Sequence, residues 1–75
     1  MLFLIEYDRN QGKVVTIREF DDSEKAENAR LELELKLNRL GIGHEVVVLE
    51  AASENALRRT HRRYFENLSE LLKAS

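Results

Sequence analysis

Between residues 30 and 37 the chain reads Arg-Leu-Glu-Leu-Glu-Leu-Lys-Leu, with leucine alternating with charge. Alternation at period two usually marks a half-buried strand. Residues 24 to 40, however, hold no β-branched or aromatic side chain; they are Leu, Glu, Lys, Arg, Ala and Asn, mostly strong helix formers. The segment is therefore expected to be a helix. At about 100° per residue, Ala26, Ala29, Leu33, Leu37 and Leu40 fall on one stripe, and Leu31 and Leu35 on roughly the opposite side. One stripe covers the helix's own sheet, and the other is left for a second copy or a protein partner. Asp21 with Glu24 has the form of a capping box, and Gly41 supplies the left-handed residue that ends the helix.

The first twenty residues read as a hairpin. Leu2 to Tyr7 and Lys13 to Phe20 are strand-like runs, separated by Asp8-Arg9-Asn10-Gln11-Gly12. Phe3, Ile5 and Tyr7 share one face of the first strand, with Leu2 and Leu4 on the other, so this strand is expected to be central and covered on both sides. On the second, Val15 and Ile17 oppose Val14, Thr16 and Arg18. A third strand follows over residues 44 to 50. Ser53 then caps a last helix over residues 53 to 73, whose apolar face carries Leu57, His61, Tyr64, Phe65, Leu68, Leu71 and Leu72.

The second strand, first helix and third strand form a crossover, which should be right-handed and should make those two strands parallel. The apolar first strand fits between them. The expected fold is α+β, ββαβα, a three-stranded mixed sheet of order 2-1-3 with two helices, in a single domain over residues 1 to 75. If both helices cover one face, the other, with Leu2, Leu4, Val14 and Val46 or Val48, is open. An open apolar patch on a small protein is usually an interface.

A chain of 75 residues buries only about 60% of its unfolded surface, so its core is marginal, and such domains commonly add disulfides, a metal or oligomerisation. There is no cysteine. The apolar start, Met1 to Ile5, is shorter than a signal h-region or a membrane span, which suggests a soluble cytoplasmic protein with no membrane partner.

Charge is uneven. Residues 1 to 50 hold 7 basic and 11 acidic side chains, and residues 51 to 75 hold 5 and 3. Arg58, Arg59, Arg62 and Arg63 gather on the last helix. They read first as a solvated face, because Glu54 and Glu66 stand four residues from Arg58 and Arg62, and alternatively as a nucleic-acid surface. His61, among Leu57, Tyr64 and Phe65, reads as a core-edge residue more readily than as a general base. His44 and His61 lack metal-ligand spacing, and Gly41-Ile42-Gly43 follows a helix where a phosphate cradle precedes one. No cofactor is indicated. The turn at Tyr7, Asp8 and Arg9 is made of ordinary turn formers, with a recognition loop as the alternative.

Residues Leu4 to Arg9 and Arg59 to Phe65 resemble segments of small bacterial proteins of unassigned function. The resemblance covers about a quarter of the chain. It implies a bacterial cytoplasmic protein, carries over no catalytic residues, and directs attention to Tyr7, Asp8, Arg9, His61 and Tyr64. The function expected is a small non-enzymatic interaction or regulatory module that homodimerises through the open sheet face or the Leu31, Leu35 stripe. The alternative is a nucleic-acid-associated protein using the four arginines.

Overall fold

The computed structural model describes residues 1–65. Strands β1 (Leu2–Asp8) and β2 (Lys13–Phe20) form a hairpin, followed by helix α1 (Ser23–Leu40), strand β3 (Glu45–Glu50), helix α2 (Glu54–Thr60) and a 3-10 turn at Arg62–Tyr64. The sheet order is β2-β1-β3, with β1 antiparallel to both neighbours. Strands β2 and β3 thus run parallel, as the crossover requires, but never touch. Every adjacent pair is antiparallel, so the sheet is antiparallel and not mixed.

Burial along β1 is continuous: Phe3, Leu4, Ile5 and Glu6 are all buried. Successive side chains on a strand point to opposite faces, so both faces must be covered. On one, Phe3 and Ile5 form the core with Leu57 of α2, joined by Tyr7, Val14, Ile17, Val47, Leu49, Ala51 and Phe65. On the other, Leu4 lies under α1, which packs over β1 and β3 with Ala26 and Leu37 buried. Among the described residues the two helices therefore lie on opposite faces of the sheet. Leu4 is only 1% exposed and Leu2 is half-buried, which removes the open-face interface expected at these two residues.

A bulge changes the faces of β2. Pairing runs Glu6↔Thr16 and then Tyr7↔Val14, so Val15 is an extra residue without an opposite number. It turns outward at 44% exposure, while Val14 joins Ile17 on the α2 face. This reverses the alternation expected for Val14 and Val15.

The caps are local. Asp22, in extended conformation, accepts the Glu24 N–H at 3.0 Å, so Asp22 caps α1, not Asp21. Gly41 at φ 69° closes the helix: its N–H donates to the Asn38 carbonyl at 3.2 Å and that of Ile42 to Leu37 at 2.9 Å, the paired bonds of a Schellman motif. Ser53 Oγ accepts the Ala56 N–H at 3.1 Å and starts α2 as expected. That helix stops at Thr60, because His61 leaves helical geometry (φ −122°, ψ 52°) and the chain tightens into the 3-10 turn. The continuous helix expected to residue 73 is therefore broken; Leu68, Leu71 and Leu72 lie outside the described residues.

Candidate functional site

Two places stand out: a polar cluster on the α1 side of the sheet, and the outer face of α1. The cluster begins with Glu6 and Asp8, two residues apart on β1 and so on one face, both buried. Burying two carboxylates in apolar surroundings is costly unless a donor meets them. His44, just before β3, supplies it. Its Nδ1 is 2.5 Å from Glu6 Oε2, and its Nε2 is 3.6 Å from Asp8 Oδ2. The other Asp8 oxygen accepts the N–H groups of Asn10 at 2.9 Å and Gln11 at 3.2 Å, so one carboxylate both shapes the hairpin turn and faces the imidazole. Among the described residues no buried side-chain nitrogen or oxygen lacks a hydrogen-bond partner.

The two ring nitrogens of His44 meet different carboxylates across the ring. A metal needs its ligands to converge on one point, and among the described residues no three His, Cys, Asp or Glu side chains do so. The contact with Glu6 joins the start of β3 to β1. Nearby, Arg9 reaches Glu45 at 3.5 Å, an exposed guanidinium on a largely buried carboxylate.

The residues singled out from the sequence divide. Tyr7 and Tyr64 come together on the α2 side, ring edge to face with centroids 5.1 Å apart. Asp8 is on the opposite face, and Arg9 stands at the turn. His61 ends α2, with its backbone N–H donating to the Leu57 carbonyl and its carbonyl accepting from the Tyr64 N–H. Pattern reading missed Glu6 and His44. Its available signal was a carboxylate at position 6 on the same face as Leu2 and Leu4, a place that demands a partner.

The arginines do not form one helical row. Arg58 and Arg59 occupy the last turn of α2, whereas Arg62 and Arg63 fall in the 3-10 turn. Arg58 binds Glu54 at 3.0 Å and its guanidinium lies 4.7 Å from the Phe65 ring centroid, so this cation is engaged within the fold.

On α1, Leu31 is 50% and Leu35 62% exposed, directly outward from the buried Ala26 and Leu37 stripe. Leu40, in the last turn, is also exposed, unlike the other members of its stripe. Beside the outer leucines, Arg30 bridges Glu27 at 2.7 Å and Glu34 at 3.0 Å. The hydrogen bond to Glu27 first, then the charges of both carboxylates, push the Arg30 guanidinium further up from its ordinary value. Among the described residues no helix is long and apolar enough to cross a membrane.

Comparison of the chain with protein-family models, curated proteins and solved structures finds no match.

Proposed function

We propose that this chain is a small non-enzymatic interaction module of the cytoplasm that works as a homodimer, joined through the outer face of α1. The observation that carries the reading is the exposure of Leu31 and Leu35 one helical turn apart, on a helix whose opposite stripe is already spent on the sheet. Two leucines with the same spacing on a second copy form a self-complementary pair, the requirement of a two-fold contact. Asn28 and Asn38 extend the stripe at either end, and polar positions in such a seam fix register at some cost in stability. A core this small gains from added apolar burial.

The cluster of Glu6, Asp8 and His44 fits a structural role in this reading, because both ring nitrogens are already directed at carboxylates. The nucleic-acid alternative loses support from Arg58, which is committed to Glu54 and Phe65.

The test compares wild type with Leu31→Glu and Leu35→Glu by size-exclusion chromatography with light scattering. The wild type should elute as a dimer at micromolar concentration and each variant as a monomer with unchanged helical circular dichroism. Equal masses for all three would overturn the proposal.

A further inference from the structure

The geometry points to an antiparallel alignment of two α1 helices, in which Glu24 of each copy meets Arg39 of the other. The inference rests on the α1 contact proposed above and adds its direction and register. Along the outer face, Glu24, Leu31 and Asn38 recur at steps of seven residues, and Asn28 and Leu35 follow the first two of them by four. Rows with this spacing form the seam between packed helices. All five side chains are exposed. The two leucines occupy the middle of the seam, and charge stands at its ends, with Glu24 in the first turn of the helix and Arg39 in the last.

These two charges differ from their neighbours. Glu27 and Glu34, on one flank of the seam, already share the Arg30 guanidinium. Glu24 and Arg39 are exposed, and among the described residues neither side chain takes part in an ion pair or a hydrogen bond. Glutamate and arginine carry full charges at neutral pH. The outer face thus presents two unpaired charges of opposite sign, one at each end of a single helix.

Direction decides how those charges meet. A parallel two-fold contact sets each seam residue level with its own equivalent, so Glu24 stands against Glu24, two like charges at the contact. An antiparallel contact centred on residue 33 sets Leu31 against Leu35 and Asn28 against Asn38, at both ends by symmetry. Glu24 then lies three residues from the level of Arg39 of the second copy, about 4.5 Å along the axis at 1.5 Å per residue, a gap that the long arginine side chain spans. Complementary charges of this kind fix the register of a contact and suppress the alternatives. Because one chain supplies both signs at the right ends, a second copy of α1 fits this face in a way that an unrelated helix does not.

Crosslinking reads the alignment. Residue 28 of one copy is level with residue 38 of the other and about 15 Å along the axis from the other residue 28, whereas a disulfide needs Cα atoms within about 7 Å. The chain has no cysteine, so Asn28→Cys and Asn38→Cys each introduce one thiol. At a concentration where the wild type is dimeric by light scattering, an equimolar mixture of the two variants treated with oxidised glutathione should give a covalent dimer in which peptide mapping links residue 28 to residue 38. Each variant alone should stay largely uncrosslinked. In the cysteine-free chain, Glu24→Arg should raise the dimer Kd severalfold, and adding Arg39→Glu should restore it, because the same bridge re-forms with its charges exchanged. Crosslinking of Asn28→Cys with itself, no link between 28 and 38 in a dimeric sample, or no restoration by Arg39→Glu overturns the alignment while dimerisation stands. A wild type that is monomeric at that concentration overturns the reading of α1, and the alignment with it.

Discussion

Glu6 and His44 are 38 residues apart in the chain and 2.5 Å apart in space, Oε2 to Nδ1, across the seam between β1 and β3. The imidazole meets the buried Glu6 carboxylate, while the buried Asp8 carboxylate on the far side of the ring is held by the Asn10 and Gln11 N–H groups. Removing one partner of a buried hydrogen bond leaves the other desolvated and unpaired. His44→Leu should therefore destabilise by about 1–3 kcal/mol in urea denaturation. Glu6→Gln in the same background should recover part of that loss, giving a coupling above about 1 kcal/mol in the double-mutant cycle. Additive losses would mean that the contact contributes nothing of its own.

The first cap separates two neighbouring aspartates. Asp22→Ala should cost about 1 kcal/mol through loss of the bond to the Glu24 N–H, and Asp21→Ala a few tenths at most. Thermal melts of the two variants decide between the observed cap and the capping box suggested by the spacing of Asp21 and Glu24.

At the other end of α1, Gly41 sits at φ 69°, and a Cβ added there would meet nothing within 4 Å. The cost of Gly41→Ala is then conformational, about 1 kcal/mol, with Gly41→Asn costing less because asparagine enters the left-handed region more readily. A melting temperature unchanged by Gly41→Ala would contradict this.

The bulge in β2 is tested by paired substitutions. Val15→Lys, at the outward extra residue, should change stability by less than about 0.5 kcal/mol. Val14→Lys, on the core face, should cost more than about 2 kcal/mol. Equal costs would place the two valines on equivalent sites.

Much of the fold was legible in the residues. Apolar side chains on both faces of β1 required a covered central strand, and a helix between β2 and β3 required those strands to be parallel, which together give the order 2-1-3. Gly41 and Ser53 marked helix ends by their chemistry. The bulge was not legible, because no glycine or proline accompanies Val15, and it exchanged the faces assigned to Val14 and Val15. Nor was the placement of helices on opposite faces: burial of Leu4 and Glu6 under α1 is a tertiary outcome, and strand periodicity is silent on which helix lies over which face. The break at His61 also lacks a local breaker. For the site, the outward Leu31 and Leu35 followed from helical geometry alone. The Glu6 and His44 pair depends on strand register across 38 residues, information that no local pattern carries.

The central claim is that the outer stripe of α1 joins two copies, and sedimentation equilibrium of the wild type and Leu31→Glu tests it most directly. Across a micromolar concentration series, the wild type should give an average mass well above the 8.8 kDa of one chain, falling on dilution, with Leu31→Glu lower at every concentration. A wild-type mass of 8.8 kDa throughout, or a Leu31→Glu curve that overlays the wild type, would contradict it.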